Sequence, residues 1–374
     1  MGKRLSRPRP WVEPYANNSA EATVASIYII GGGEELVAEV LAELMARGHD
    51  SAALRVLNDG AAAGEFVSVG EARFRIEVAS EGAIENAEAA IFLGDGLLAK
   101  EFLPMLADRG TLVVDASPYA RRMGVGTLVV PEVNGELLGA EERAQLFAFP
   151  MPATVGLSIA LAPLHAHAAI RRVVTTVFEP ASQRGVAGIE LLSEQSVAMV
   201  SGEGVDREKY PETFAFNVRP QAAGSEGEGW AFDERMISQE IEALFPQPAF
   251  DVFTTIARVP VFVGAAQSLW VEFENNVSLE GVQEALRGAP SILLGGDELP
   301  EAMDEDARAV LLDQQAGPLD VAGSSAVHVG RLRLDPRRSD CLGMWIAFDD
   351  LRKGVALGVV SVFERAWGRF DAEY

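Results

Sequence analysis

The sequence predicts an α/β protein in two parts. The first is a Rossmann-like, doubly wound parallel sheet, and the second is an α+β domain with an open mixed sheet. Two observations carry this prediction. Before about residue 150, short buried strands alternate with helical segments, as in parallel α/β folds. After residue 151, long strand-like runs dominate, with few helices between them.

The N-terminal part opens with a strand, a glycine turn and a helix. The apolar run ATVASIYIIGGG ends at Gly31–Gly33, and EELVAEVLAELMARGHD then carries apolar residues at helical spacing. The segments AAIFLGDG (89–96) and GTLVVDAS (110–117) predict further buried strands, with a helix between them. Doubly wound sheets bind ligands at the carboxyl ends of their strands, so we expect a site there.

The second part opens with ATVGLSIALAPLHAHA, a predicted buried helix, and IRRVVTTVFEPAS, a predicted strand. VAGIELLSEQSVAMV predicts another helix, and FDVFTTIARVPVFVGAAQSLWVEFE predicts one long β segment. VHVGRLRLDP and CLGMWIAFDD predict two more strands, and DDLRKGVALGVVSVFERAW a closing helix. We expect a flexible basic extension over 1–22, domains over 23–151 and 152–348, and a terminal helix within 349–374.

Composition and charge exclude several kinds of binding partner and site. The net charge of −24 and the pI near 4.6 argue against nucleic acid and anionic membranes, which are themselves negatively charged. No apolar run approaches the length of a membrane span. The only cysteine, Cys341, permits no internal disulfide, which favours the cytoplasm. The pair His165 and His167 lacks nearby cysteine or carboxylate ligands, so we expect no metal site.

Six short segments, in order, resemble the aspartate-semialdehyde dehydrogenase family from about residue 24 to the end. They are VVPEVN, GVAGIELLSEQ, AFNVRP, RVPVFVG, VGRLRLD and DDLRKG. The resemblance implies an NADP-binding first domain and a second domain that holds the catalytic groups and the dimer sheet. It also implies a homodimer and a last helix that returns to the first domain.

That family forms a covalent thioester, which requires a cysteine thiolate and a histidine acid/base. By resemblance, the cysteine position is Pro152, the histidine position is Ala265, and an active-site glutamine position is Glu179. Proline suits the first turn of a helix, so Pro152 preserves the fold while removing the nucleophile. Cys341 lies in a predicted interior strand and is expected to be a buried small hydrophobe.

The cofactor turn also departs from the family pattern of three spaced glycines. In register with that pattern stand Gly31, Glu34 and Val37, with Gly32 and Gly33 inserted. Glu34 and the adjacent Glu35 are expected where phosphates would dock, which favours a helix that no longer binds a dinucleotide. By resemblance, Asn134 and Asp350 belong to the same degenerate site, and Asp350 replaces an asparagine.

Several charged positions of the family are retained. Arg258 matches the arginine for a substrate carboxylate, and Arg121 matches the phosphate-side arginine. Glu234 belongs to a matching acidic pair, but Met236 replaces the lysine beside it. Guanidinium groups suit a carboxylate or phosphate ligand, although internal ion pairs with residues such as Glu179 would retain them equally well.

Three hypotheses of function follow. The first is a catalytically silent, dimeric homologue that resembles the Usg proteins, members of this family without the catalytic cysteine. The second is an NAD(P)-dependent oxidoreductase acting on an aldehyde or acyl phosphate in amino-acid biosynthesis. The third is a sensor of small anions built on Arg121 and Arg258.

Overall fold

The structure is a computed structural model that describes residues 26–140, 145–209, 212–221, 229–245, 250–295 and 316–368. The expected extension over 1–22 lies outside the described residues, and so do residues 369–374. None of the helices in the described ranges has the length and apolar character that crossing a bilayer requires.

An eight-stranded sheet organises the N-terminal part of the chain. Its strands are β1 (Ile27–Gly31), β2 (Leu54–Asn58), β3 (Phe66–Val69), β4 (Ala72–Val78), β5 (Ala89–Leu93), β6 (Leu112–Asp115), β7 (Thr127–Leu128) and β8 (Leu146–Ala148). The strand order is β3-β4-β2-β1-β5-β6-β8-β7, and all neighbours are parallel except β3 and β4.

Helices cover both faces of this sheet. They are α1 (Glu34–Ala46), α2 (Leu97–Asp108), α3 (Pro118–Met123), α4 (Pro131–Asn134) and α5 (Leu137–Ala140). Side chains alternate along β1, so Ile27 and Ile29 pack in the core that includes α1, whereas Tyr28 and Ile30 pack in the core that includes α2. The predicted doubly wound architecture is confirmed.

A seven-stranded mixed sheet organises the second part. Its elements are α6 (Pro152–His167), β9 (Ile170–Glu179), α7 (Gly185–Val200), β10 (Arg219–Pro220), α8 (Phe232–Leu244), β11 (Asp251–Arg258), β12 (Ala265–Phe273), α9 (Leu279–Arg287), β13 (Ile292–Leu294), β14 (Val327–Asp335) and β15 (Arg338–Phe348). The strand order is β10-β11-β9-β12-β15-β14-β13. Helix α6 packs on α8, α9 and the sheet, while Val174 and Phe253 remain exposed on the opposite face.

The single long β segment predicted after residue 250 is two strands. Strands β11 and β12 lie on opposite sides of β9, and the chain crosses between them through residues 259–264. Gly264 has a φ of +94°, and a Cβ there would collide with the Pro318 carbonyl. This turn depends on a contact distant in sequence, which a local β pattern does not reveal.

The end of the described chain returns to the first sheet. A one-turn π-helical segment, Arg352–Ala356, leads into α10 (Leu357–Trp367), which contacts α1 and β6. The buried carboxylate of Glu364 accepts a hydrogen bond from Arg47 at 2.8 Å and lies 3.0 Å from the His49 ring. These polar contacts and the apolar face of α10 hold the end of the chain against the first sheet.

Candidate functional site in the interdomain cleft

A cleft of about 670 Å³ lies between the two parts of the chain. One wall is formed by the turns after β1, β2 and β5 and by α3, and the other by the starts of α6, α7 and α8. Three parallel strands therefore deliver their carboxyl ends to the cleft, which is where ligands of doubly wound sheets bind.

The glycine turn after β1 is shaped by its contact with the turn after β5. Gly31 and Gly32 have φ values of +80° and +88°. A Cβ on Gly31 would lie 2.7 Å from the Leu93 carbonyl oxygen, and one on Gly94 would lie 2.8 Å from the Gly32 nitrogen. These glycines let the two turns pack closely, so their presence does not by itself indicate a bound phosphate.

Helix α1 begins at the cleft without a side-chain cap at its N-cap residue, Gly33. The N–H groups of its first turn therefore have no side-chain partner at the N-cap, and N–H groups of this kind bind phosphate. Glu35 lines the cleft, and its Oε2 would lie 3.6 Å from a Cβ placed on Gly33. Glu34, expected at the same position, is exposed and lies outside the cleft lining, because successive helical residues point about 100° apart.

The other two residues assigned to a degenerate cofactor site are buried. The Asn134 side-chain oxygen accepts from the Val130 amide, and its NH₂ donates to the Leu128 carbonyl, both at 2.9 Å, so its amide fixes the turn before α4. Asp350 is fully buried as well. In contrast to the sequence expectation, neither side chain lies in the cleft lining.

Asp350 instead ties three segments of the second part together. Its carboxylate accepts hydrogen bonds from the Ser182 hydroxyl at 2.7 Å and from the Gln183 and Gly264 N–H groups at 2.6 Å. Burial raises the pKa of this carboxyl, and the hydrogen bonds partly oppose the increase. The carboxylate therefore braces the wall that carries Ser182 and Gln183.

Pro152 occupies the first position of α6 and lines the cleft. The packing behind it is close, because a Cβ on Gly354 would lie 2.9 Å from the Pro152 Cβ. The Met151 amide at the N-cap donates to the Glu240 carboxylate at 3.2 Å. In the family that this chain resembles, the nucleophile is expected at this helix start. Here a carboxylate of the protein itself, on Glu240, caps the start of the helix.

Glu240 also holds two other side chains. Arg121 donates to it through Nη1 at 3.1 Å, and the Thr154 hydroxyl donates to it as well. Burial raises the pKa of Glu240, and the positive charge of Arg121 opposes the increase. Arg121 still lines the cleft, and its buried Nε has no hydrogen-bond partner among the described residues.

Glu179 and Arg258 form a second ion pair, with 3.0 Å between Oε2 and Nε. Burial raises the pKa of Glu179, whereas its hydrogen bond and charge pairing with Arg258 lower it. Glu179 lines the cleft, but Arg258 and the buried Ala265 lie outside the lining. The sequence left two alternatives for Arg121 and Arg258, an anionic ligand or an internal ion pair. In the structure both arginines form an internal ion pair.

The acidic pair at the start of α8 divides between two roles. Asp233 lines the cleft beside Met236. The Glu234 carboxylate instead accepts hydrogen bonds from the Ala231 amide at 3.1 Å and the Ile256 amide at 2.9 Å. Glu234, expected to face a ligand, thus fixes the start of α8 against β11.

Three side chains that could replace a missing nucleophile are enclosed. Cys341 is fully buried on β15, and burial raises the pKa of its thiol. Thr154 and Ser158 are fully buried, and the Ser158 hydroxyl donates to the Val155 carbonyl at 3.0 Å. In the part of the chain that the structure describes, no cluster of histidine, cysteine, aspartate and glutamate could hold a metal ion.

Two residues of this region were missed by the sequence analysis. Glu240 is 86 residues from Thr154, and its local sequence gives no sign of that contact. Asp59 lines the cleft directly after β2, where many dinucleotide-binding folds carry an acidic residue. The sequence did contain a signal for Asp59. It is an acidic residue at the end of β2, the strand that follows the glycine turn and α1.

Comparisons with known proteins agree with this architecture. Residues 26–140 match the sequence model of the semialdehyde dehydrogenase NAD binding domain, and residues 161–353 match that of the semialdehyde dehydrogenase dimerisation domain. Aspartate-semialdehyde dehydrogenase from Rickettsia conorii is 29% identical over 91% of this chain and 96% of its own length. The enzyme from Aquifex aeolicus is 30% identical over 76% of this chain and 80% of its own length.

A solved structure shows the same fold over most of the chain. It is aspartate semialdehyde dehydrogenase II from Vibrio cholerae, which superimposes with a TM-score of 0.81 at 25% identity, covering 94% of this chain and all of that one. The two matched ranges contain every strand of the two sheets except β8, and the relatives are matched over most of their length. The chain therefore belongs to the semialdehyde dehydrogenase family.

Proposed function

We propose that this chain is a homologue of aspartate-semialdehyde dehydrogenase that does not perform thioester catalysis. It resembles the Usg proteins in this respect. The observation that carries the proposal is Pro152 at the start of α6, where the family chemistry requires a thiolate. Proline has no group that can attack an acyl carbon.

The surroundings support the same conclusion. Ala265 cannot transfer a proton, and Cys341 on the second sheet is fully buried, so no thiol replaces the missing one. The hydroxyl of Thr154 has a carboxylate partner in Glu240, but both side chains are buried beyond the reach of a substrate. A nucleophile needs both activation and access, and Thr154 has only the first.

The charge of the cleft also disfavours an acyl phosphate. Five carboxylates line it, on Glu35, Asp59, Asp95, Glu179 and Asp233, against three arginines. A doubly negative phosphate would meet repulsion from most sides. Arg258, expected to bind a substrate carboxylate, is already paired with Glu179.

The exposed face of the second sheet supports a homodimer as part of the proposal. Val174 and Phe253 are neighbours across β9 and β11, and 40% and 51% of their respective surfaces are exposed. Trp230 packs on Phe253 with its ring 5.0 Å away. Apolar patches of this kind are usually covered by a partner, and the matching family domain is a dimerisation domain.

The test is an assay of the full-length protein, purified from a host lacking its own aspartate-semialdehyde dehydrogenase. We expect phosphate-dependent reduction of NADP⁺ or NAD⁺ by aspartate semialdehyde to be at least about 10⁴-fold slower than with an active relative. Intact-mass spectrometry should detect no acyl adduct on the chain. Turnover within a factor of about one hundred of the relative, or an adduct, would contradict the proposal.

A second candidate, a small-anion-binding protein, is favoured by the unpartnered Nε of Arg121 in the cleft wall. A phosphate bound to the Arg121 guanidinium would raise the midpoint of thermal unfolding. The measurement is the melting temperature in phosphate against chloride at equal ionic strength. Arg121→Lys should abolish any phosphate-specific increase while keeping a charge beside Glu240. Equal melting temperatures in the two salts would remove this candidate.

A further inference from the structure

Asp59 lies at the carboxyl end of β2, on the wall of the cleft. The preceding residue, Asn58, donates from its Nδ2 to the Gly32 carbonyl at 3.1 Å, so the end of β2 is tied directly to the glycine turn. Oδ1 of Asp59 accepts from the Ala61 amide at 3.1 Å, which orients the carboxylate. Asp59 is exposed, and Oδ2 can accept further hydrogen bonds.

This position has a defined chemistry in doubly wound sheets. When a dinucleotide places its phosphates on the helix after the first strand, the end of the second strand lies beside the adenosine ribose. A carboxylate there accepts hydrogen bonds from the ribose hydroxyls and repels a 2′-phosphate, whereas an arginine favours the phosphate.

The arginines that line the cleft lie on elements other than β2, which carries Asp59 at its end. Arg121 and Arg122 belong to α3, which follows β6, and β1 and β5 separate β6 from β2. Three strand spacings amount to about 14 Å, which exceeds the Debye length at physiological ionic strength. Arg184, on the opposite wall, is paired with Glu212. Between Arg55 and Arg73 the chain contains no lysine or arginine.

The backbone of the turn fits a nucleotide phosphate, since Gly33, the N-cap residue of α1, provides no side-chain cap. Glu35 weakens that fit, but it acts on the pyrophosphate, which NAD(H) and NADP(H) share. Asp59 acts at the 2′ position, where the two differ. Glu35 therefore lowers the affinity for both cofactors, and Asp59 sets the ratio between them.

We propose that the nucleotide end of this cleft selects adenosine ligands with an unmodified 2′,3′-diol, such as NAD(H), and rejects the 2′-phosphate of NADP(H). The preference is independent of thioester chemistry and holds for a protein that binds a nucleotide without turning it over.

Calorimetric titration of the full-length protein with NADH and with NADPH tests this directly. We expect NADH to bind at least about ten times more tightly, because the 2′-phosphate adds two negative charges beside Asp59. In Asp59→Asn the ratio should fall to within about threefold of one. Asparagine can still accept from the Ala61 amide, so this variant keeps the turn.

Asp95→Asn is the matched control, since Asp95 is another cleft carboxylate but follows β5. Its ratio of NADH to NADPH affinity should equal that of the wild type. Equal binding of both cofactors by the wild type, tighter binding of NADPH, or an unchanged ratio in Asp59→Asn overturns the proposal. Binding of neither cofactor at millimolar concentration also overturns it, and leaves the absence of thioester catalysis untouched.

Discussion

The N-termini of α1 and α6 both face the cleft, and each has a carboxylate beside it, but the two carboxylates have different effects. At α1 the carboxylate is Glu35, which is exposed and comes from the same helix. At α6 it is Glu240, which comes from α8, is fully buried, and binds the Met151 amide, Thr154 and Arg121. An exposed carboxylate leaves the helix start accessible to water and ligands, whereas the buried one replaces a ligand.

The difference separates the two helix starts by their access to a ligand. The start of α6 borders the cleft, but its Met151 amide and Thr154 hydroxyl already donate to Glu240. The start of α1 keeps its glycine turn and an accessible helix end, so one solvated side chain separates it from a phosphate site. The predictions below test this contrast.

The largest effect is expected at Glu240. Glu240→Ala should lower the free energy of unfolding by about 3–5 kcal/mol, because it leaves the Arg121 charge buried without its partner. Denaturant titration measures this change, with Glu34→Ala as the control. Glu34 is exposed, and its loss should change stability by less than about 0.5 kcal/mol. Similar results for the two variants would show that α6 is not capped internally.

The glycine turn at α1 should be the next most sensitive point. Gly31→Ala should lower the free energy of unfolding by about 2–4 kcal/mol, because it combines a left-handed φ with a Cβ pressed on the Leu93 carbonyl. Gly48→Ala is the matched control: its φ is +89°, but a Cβ there meets open space. It should cost about 1 kcal/mol, the backbone term alone. Equal losses would mean that the contact between the two turns is unimportant.

The brace at Asp350 should make stability depend on pH. Burial raises its pKa in the folded protein above the ordinary value of 3.8, so the folded state binds the proton more tightly than the unfolded state does. The free energy of unfolding that this tighter proton binding adds is therefore fully present below about pH 4. It is lost as pH rises through the folded pKa, by up to about 1.4 kcal/mol per pH unit.

Denaturant titrations from pH 4 upwards should show a steeper loss of stability in the wild type than in Asp350→Asn, because the variant lacks this titrating carboxyl. Ser182→Ala keeps the carboxyl and should keep the slope. A difference between wild type and Asp350→Asn that does not change with pH would contradict the assignment.

The smallest effect is expected at Glu35. Glu35→Gln should tighten binding of NADH and NADPH by about two- to fivefold each, the usual magnitude for one charge at an exposed helix end. Because the substitution acts on the shared pyrophosphate, the ratio of the two affinities should stay constant. Calorimetry would refute this role if only one cofactor gained affinity.

Much of the fold was accessible from local pattern. Alternating buried strands and helices predicted the parallel sheet, and the change of pattern after residue 151 predicted the second domain. The break between β11 and β12 was missed, because the two strands read as one apolar run and the turn at Gly264 rests against Pro318. The side-chain partners were also missed. Nothing near Glu240 in sequence indicates that its carboxylate caps a helix 86 residues away.

The sequence by itself determined the alternation of strands and helices in the first part and which residue types stand where the resemblance predicts the family's nucleophile and acid/base. Pro152 and Ala265 have no nucleophile or acid/base group in any conformation, since that property belongs to the side chain. Only the tertiary structure decided that Glu35 and Asp59 face the cleft, that Glu34 and Asp350 do not, and that Arg121 and Arg258 are paired internally. Pairing and burial depend on contacts between distant segments, and those exist only once both sheets are packed.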